Sequence, residues 1–348
     1  MKIAFFDTKP YDKESFNREN LKYNFEIKYF KFHLSPDTVE VARGYDVVCT
    51  FVNDEITGEI IDKLYSLGVK LIALRSAGFN NVDFQAAFGK IHVVRVPAYS
   101  PHAVAEHTIA LMLTLNRKIH RAHARTREGN FALQGLLGFD FYGKTVGVIG
   151  TGKIGKLVAQ ILKRGFEMEV VAYDLYPDYS WANELGVRYV PLDEMYHASE
   201  IITLNCPLTK ETEHMINTES IAKMKQGVMI INTGRGKLIN TFDLIEGIKS
   251  GKVGSTGLDV YEEEGEYFFE DFSSSIITDD NLLRLLSFNN AIITSHQAFF
   301  TAEALSQIAK ITLQNIDEFD RNVPLSNEIC YRCMAGRPCP RDENNRCF

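Results

Sequence analysis

The sequence predicts an α/β fold of two doubly wound parallel-sheet domains with a cleft between them, and three observations carry that prediction. Short runs rich in Val and Ile alternate with stretches of helical periodicity along most of the chain, the pattern of strands buried on both faces beneath covering helices. The runs fall into two sets, separated after residue 100 by one long helical stretch. The length, 348 residues, suits two cores rather than one. In the first set, strands are predicted at residues 2–6, 25–30, 46–51, 71–75 and 92–96. Helices fill the gaps, the clearest over 55–67, where Ile56, Ile60, Ile61, Leu64 and Leu67 repeat at helical spacing. Pro101, a favoured first-turn residue, opens a bridging helix expected to run through Ile109 and Leu113 toward His123. The second set predicts strands at 145–149, 170–173, 201–204, 228–232, 255–260 and 291–294. Residues 301–321 then form one amphipathic helix, with Leu305, Ile308, Ala309, Ile316 and Phe319 on its stripe. A single helix cannot bury its own apolar face, so this one is expected to return to the first sheet. The expected organisation is therefore a discontinuous domain of residues 1–100 plus 298–329, a second domain of 101–297, and a tail of 330–348.

Composition narrows the function classes. With 45% hydrophobic and 24% charged residues the chain is neither disordered nor fibrous. A formal net charge of -7 speaks against a phosphate-backbone surface, which needs clustered Lys and Arg, so no nucleic-acid partner is expected. The apolar run at the start is broken by Asp7 and no later stretch approaches spanning length, so a cytoplasmic protein without a membrane partner is expected. Only Cys49 and Cys206 lie ahead of the tail, too few for a disulfide scaffold.

The strongest local signal is Gly150-Thr151-Gly152-Lys153-Ile154-Gly155, directly after a predicted strand and opening a predicted helix. Gly150 permits the tight turn, Gly152 lets backbone N–H groups approach a pyrophosphate, and Gly155 allows close helix–strand contact. The next strand ends at Asp174, about twenty residues past the last glycine, where a carboxylate accepts hydrogen bonds from an adenosine ribose and repels a 2′-phosphate. The implied cofactor is NAD(H) rather than its phosphorylated form.

Three further residues fall where strands of this second domain end: Arg235 within Asn232-Thr233-Gly234-Arg235-Gly236, Glu264 just past Gly257-Leu258-Asp259-Val260-Tyr261, and His296 just past the run 291–294. Singly, each has an ordinary reading as a solvated loop arginine, one of an acidic run, or a satisfied histidine. Jointly, they sit on the edge of an open α/β sheet that faces the ligand crevice. A guanidinium there holds a 2-oxo carboxylate bidentately, an imidazole exchanges a proton, and a carboxylate orients the imidazole and favours its charged form.

These motifs resemble the D-2-hydroxyacid dehydrogenases, and among them the fermentative NAD-dependent D-lactate dehydrogenases. The resemblance covers residue 1 to about Ile329 and rests on Leu74-Arg75-Ser76-Ala77-Gly78-Phe79-Asn80-Asn81-Val82-Asp83, Val96-Pro97-Ala98-Tyr99-Ser100-Pro101, the glycine loop, the Arg235 segment, Gly257 to Glu262, and Ser295-His296-Gln297-Ala298-Phe299. It implies a flavodoxin-like substrate domain, a Rossmann NAD-binding domain and a homo-oligomer, dimer or tetramer. It implies that Arg235 binds the substrate carboxylate, His296 is the acid/base and Glu264 its partner. It also implies that Lys153 and Ile154 lie along the pyrophosphate, Asp174 on the ribose, Cys206 and Pro207 beside the adenine or ribose, Thr233, Gly234 and Arg235 along the cofactor, and Asp259 near the carboxamide. For the substrate, it implies contacts from the Ala77 and Gly78 amides, with Phe51, Tyr99 and Phe299 as walls. Gly234, where many relatives carry Ser or Ala, and Thr212, where some carry Asn, depart from the family pattern.

The stretch from Glu262 to Asn290 resembles the lactate-type enzymes, and an aromatic wall suits a methyl group while desolvating a phosphate without compensation. The expected reaction is reduction of pyruvate, a small 2-oxo acid, to D-lactate by NADH; a broader D-2-hydroxyacid dehydrogenase and a catalytically silent NAD(H)-sensing regulator are the alternatives. The basic stretch from Arg117 to Arg125 reads as a solvated or subunit-facing helix end. In the tail, Cys330 and Cys333 have zinc-like spacing, but the gaps to Cys339 and Cys347 fit no common pattern, and Pro338, Pro340, Asn344 and Asn345 suggest a mobile extension. No metal is expected there, with a four-thiolate zinc site or disulfide linkage as alternatives.

Overall fold

The computed structural model of the chain describes residues 1–334, 339 and 346–348. It divides into two compact units, Met1–Ser100 with Phe300–Phe348, and Pro101–Phe299. The first unit holds a five-stranded parallel sheet, β1 (Lys2–Phe5), β2 (Glu26–Tyr29), β3 (Val47–Thr50), β4 (Leu71–Leu74) and β5 (His92–Val94), in the order β2-β1-β3-β4-β5. Every residue of β3 and β4 is buried, as the apolar runs Val47–Cys49 and Leu71–Leu74 require of central parallel strands. The helix Gly58–Ser66 buries Ile60, Ile61 and Leu64, and Thr57 caps it by accepting from the Ile60 amide. The helix Ala302–Asp320 packs on the helix Pro10–Asn20 and on β4, burying Ile308, Ala309, Leu313 and Ile316.

The second unit holds a seven-stranded parallel sheet: β6 (Thr145–Ile149), β7 (Glu169–Tyr173), β8 (Arg188–Tyr189), β9 (Ile201–Leu204), β10 (Val228–Asn232), β11 (Val253–Leu258) and β12 (Ala291–Ile293). Their order is β12-β11-β10-β9-β6-β7-β8, so the winding reverses between β6 and β9. Because all pairings are parallel, every carboxyl end lies on one edge. Two apolar cores cover the two faces, one including Ile202, Ile230, Leu244 and Leu258, the other including Met112, Val146, Val158 and Ile231.

Three elements differ from the expectation. The bridging helix is two helices, Pro101–Arg117 and Ile119–Arg127, broken at Lys118, whose φ is 50°. The cause is long-range: the buried Asn116 amide donates to the Phe139 carbonyl at 2.7 Å and accepts from its N–H at 2.9 Å, while Lys118 Nζ donates to Leu137 O. The segment 137–139 thus occupies the end of the first helix. β8, two residues long, carries too little periodicity to be read from sequence. Finally, the described end of the chain is packed, not loose, with Cys330, Arg346 and Cys347 buried; Pro338, Pro340, Asn344 and Asn345 lie outside the described residues.

The return of the last long helix to the first sheet makes a direct prediction. Ile316 is 1% exposed, so Ile316→Ala removes methylenes that the surroundings cannot replace and should cost about 2–5 kcal/mol. Chemical denaturation followed by circular dichroism measures this; an unchanged midpoint would mean that the helix face is not packed.

Candidate active site

The carboxyl edge of the second sheet is built from glycine geometry first. Gly150 follows β6 at φ 89°, and a Cβ there would lie 2.5 Å from the Cys206 N, so the turn after β6 sits against the turn after β9 at the point where the winding reverses. A Cβ on Gly155 would lie 1.9 Å from the Gly150 carbonyl oxygen, so only glycine lets the helix Lys153–Phe166 begin this close to the strand. Around Gly152, by contrast, there is open space within 4 Å of where a Cβ would be. Gly152 is also the N-cap, and the first turn of the helix has no side-chain cap and no acidic residue. An open approach to uncapped amides at a positive dipole end fits a pyrophosphate.

Asp174, after β7, completes this half of the site. Its carboxylate accepts from the Thr151 N–H at 2.6 Å, the Thr151 hydroxyl at 3.0 Å and the Tyr176 N–H at 2.9 Å. Partial burial raises its pKa, but these donors more than offset that and hold the carboxyl below its ordinary value. A fixed carboxylate with acceptor capacity remaining suits a ribose diol. Cys206, beside Gly150, is half-buried with its thiol pushed up to about 11 by burial, and Pro207 is exposed beside it. Lys153 is exposed and Ile154 half-buried at the start of the helix.

The other half follows β10, β11 and β12. Asn232, the last residue of β10, accepts from the Gly234 N–H at 3.0 Å and donates to the Arg235 carbonyl at 2.9 Å, folding Thr233, Gly234 and Arg235 into a fixed loop. A Cβ on the next residue, Gly236, would lie 1.9 Å from the Tyr261 carbonyl oxygen, so this loop is pressed directly onto the one after β11. There the Glu264 carboxylate accepts from the Tyr261 N–H at 3.1 Å and, through its other oxygen, from His296 Nδ1 at 2.9 Å. The contacts Gly236–Tyr261–Glu264–His296 therefore join the three sequence-predicted residues into one constellation. Their side chains remain accessible, His296 being 24% and Glu264 27% exposed.

His296 itself stands in a left-handed turn, φ 51°, which costs free energy for a residue with a Cβ and needs its surroundings to enforce it. Asp259 enforces it. Its backbone carbonyl accepts from the His296 N–H at 2.7 Å, and its buried carboxylate accepts from the Thr294 hydroxyl at 2.5 Å and the amides of Gln297 and Ala298 at 2.9 Å each. Because the Thr294 hydroxyl donates to Asp259, its 3.1 Å contact with His107 Nε2 is one in which the imidazole donates.

Residues 109–298 match the family described as D-isomer specific 2-hydroxyacid dehydrogenase, NAD binding domain. The chain belongs to the D-isomer-specific 2-hydroxyacid dehydrogenases. Its cofactor is NAD, in keeping with the open, uncapped glycine loop and the fixed Asp174. The dehydrogenase is 56% identical over 341 residues to a 2-hydroxyacid dehydrogenase homolog of Haemophilus influenzae, covering 97% of this chain and 98% of that one. It resembles the apo structure of D-lactate dehydrogenase from Escherichia coli with a TM-score of 0.87 and 48% identity, over 94% of this chain and 100% of that one. It resembles the pyruvate reductase of Chlamydomonas reinhardtii with a TM-score of 0.89 and 44% identity, over 94% and 98%.

The remaining expected substrate contacts lie in the first unit of the dehydrogenase, apart from the buried Phe299, which closes the second. Ala77 and Gly78 follow β4, their carbonyls tied back by Arg95 at 3.0 Å and by the Ser76 hydroxyl at 2.7 Å; Tyr99 is half-buried after β5. Three positions stand inside the quoted motifs without a role of their own. Asn232 and Gly236 bracket Arg235 and fix its loop, and the glycine on the far side of the arginine was the available signal of close backbone approach. Arg75, at the end of β4, is a fully buried guanidinium between the rings of Phe5 and Phe51, 4.7 Å from each, and donates to the Asp7 carbonyl at 2.6 Å.

The two kinds of glycine separate experimentally. Gly155→Ala should lower Tm and abolish NADH binding, because backbone would have to move. Gly152→Ala should leave Tm near its original value and weaken NADH binding alone. Equal thermal shifts for the two variants, read by scanning calorimetry, would contradict this division.

Proposed function

We propose that the dehydrogenase is a D-lactate dehydrogenase that reduces pyruvate to D-lactate with NADH. The observation that carries this reading is the Glu264–His296 pair, held in an enforced left-handed turn and joined through Gly236 and Tyr261 to the Arg235 loop. The names of its relatives, a D-lactate dehydrogenase and a pyruvate reductase, support the same substrate.

The roles follow from donor and acceptor chemistry. Glu264 accepts from Nδ1 of His296, which fixes the ring and leaves Nε2 to exchange the proton. Arg235 binds the substrate carboxylate through its guanidinium fork and so orients the adjacent carbonyl carbon. Bound NADH supplies the hydride that this carbon accepts. His296 then gives its Nε2 proton to the carbonyl oxygen, where negative charge develops, and the charged imidazolium and guanidinium both favour that charge. The product is the 2-hydroxy acid, and in the reverse direction the neutral imidazole takes the hydroxyl proton. Lys153 and Ile154 along the pyrophosphate, Asp174 on the ribose, Cys206 and Pro207 beside the adenine or ribose, Thr233, Gly234 and Arg235 along the cofactor and Asp259 near the carboxamide form the cofactor part of the proposal. The amides of Ala77 and Gly78 toward the carboxylate, and Phe51, Tyr99 and Phe299 beside the methyl group, form the substrate part.

The reading also includes a cytoplasmic homo-oligomer. Phe131, Leu133 and Leu137 in the second unit are 76%, 82% and 88% exposed, an apolar segment that an identical chain would cover. No helix among the described residues is long and apolar enough to cross a membrane.

Oxidation of NADH followed at 340 nm with pyruvate, NADPH run in parallel and the product resolved on a chiral phase, tests the reaction. Turnover with NADH giving D-lactate is expected, with 2-oxoisocaproate slower. His296→Gln and Arg235→Lys should each lower kcat/KM by at least about a hundredfold while NADH binding stays nearly unchanged. If NADH binds but no 2-oxo acid turns over, the proposal fails.

A further inference from the structure

The tail cysteines take no part in the chemistry above, and the structure gathers them. The Sγ atoms of Cys330, Cys333, Cys339 and Cys347 all lie within 4.8 Å of one another. Cys330 and Cys333 approach to 3.5 Å, Cys330 and Cys339 to 3.5 Å, and Cys333 and Cys347 to 3.7 Å. These separations discriminate between chemistries. A disulfide holds its sulfurs at about 2.05 Å, far closer than any pair here, and all four thiols are free. Four thiolates at ~2.3 Å from one zinc ion stand at the corners of a tetrahedron whose edge is about 3.8 Å. The three shortest contacts, 3.5, 3.5 and 3.7 Å, lie close to that edge. A cluster of several irons would place the thiolates on different metal atoms and therefore farther apart.

The ligands are also brought together by contacts that owe nothing to a metal. Ahead of the first cysteine, the chain pairs with β5: the Arg95 N–H donates to Asn327 O at 3.2 Å, and the Ile329 N–H donates to Val93 O at 3.0 Å. After the last one, the Phe348 ring stacks on His92 of the same strand, 4.3 Å between centroids at 3°. Glu328 joins the two ends, accepting from the Cys347 N–H at 2.6 Å with one oxygen and lying 2.6 Å from His92 Nδ1 with the other. Arg346 donates to the carbonyls of Phe319 at 3.2 Å and Val323 at 3.3 Å, at the end of the helix Ala302–Asp320. Two thiols, Cys330 and Cys347, are buried, where an ionised sulfur would be costly without a cation.

We propose that Cys330, Cys333, Cys339 and Cys347 bind one zinc ion as a closed, four-thiolate structural site that fastens the end of the chain onto β5. With all four positions filled by protein, the ion has no open coordination site and contributes stability, not catalysis. The proposal takes up the four-thiolate alternative that the sequence leaves open beside a metal-free tail.

The full-length protein, purified under reducing conditions without chelator and passed through gel filtration, should carry about one zinc per chain by elemental analysis. Treatment with a thiol-blocking mercurial should release that zinc, read with 4-(2-pyridylazo)resorcinol, and lower Tm. The double variant C333S/C339S should lose the zinc and match the Tm of the stripped protein, keep its far-ultraviolet circular dichroism and still bind NADH through the second unit. C206S should retain the zinc. Iron in place of zinc, no metal even after incubation with equimolar zinc chloride, or an intact mass lacking the four thiol hydrogens, which marks two disulfides, would each overturn the assignment.

Discussion

The arrangement at the carboxyl edge of the larger sheet depends on one buried carboxylate. Asp259 is fully removed from solvent, a position that a carboxyl group holds only when its oxygens find hydrogen-bond donors. The donors it finds are the Thr294 hydroxyl and the amides of Gln297 and Ala298, which lie on either side of His296 in sequence. Satisfying the carboxylate therefore wraps the chain around it and forces the intervening residue into the left-handed region. The strain at His296 and the burial of Asp259 are two consequences of the same packing. An imidazole placed by the desolvation of a neighbouring residue is held more rigidly than one placed by its own side-chain bonds, because releasing it would strand several buried polar groups at once.

A second constraint is topological. Parallel pairing puts the ends of β6, β7, β9, β10, β11 and β12 on one edge, but it leaves each loop free to point anywhere. Close backbone approach removes that freedom. Gly150 presses against Cys206, Gly155 against Gly150, and Gly236 against Tyr261, each at a separation that no side chain could tolerate. The glycine-loop half of the edge is thus welded by two of these contacts and the half that carries Arg235, Glu264 and His296 by the third. Catalysis by hydride transfer needs both halves in fixed register, since a displacement of about 1 Å at the reacting atoms is enough to lower a rate by orders of magnitude.

Much of this was legible in the chain itself, and the residues show why. β3, β4, β9 and β10 are predominantly apolar runs because both their faces are covered, and such runs are read without any tertiary information. Gly150 to Gly155 and Asp174 carry their meaning in local spacing. Arg235, Glu264 and His296 were singled out because strand ends locate a crevice, and the structure brings their segments together through Gly236 and Tyr261. Apart from β8, which is too short to show a period, what escaped has a common cause. The break at Lys118 is made by Phe139, the geometry of His296 by Asp259, and the convergence of the thiols by contacts with β5. Each is a contact between segments distant in sequence, and no window along the chain contains both partners.

The tail makes the point most sharply, because its spacing was the reason for setting a metal aside. Regular spacing identifies zinc sites in which a short turn alone positions the ligands. In this protein the turn is not what positions them: β5 is an edge strand, and pairing it with residues 327–329 brings Cys330 to the same place that stacking of Phe348 on His92 brings Cys347. An edge strand exposes unpaired N–H and C=O groups that invite association with other chains, and a folded-back tail covers them. Such a cover is entropically weak on its own, since a chain end frays readily. A cross-link that ties both ends of the tail to one point removes most of that freedom. The cysteines stand where that cross-link is needed, in the unit that carries neither the glycine loop nor the His296 constellation.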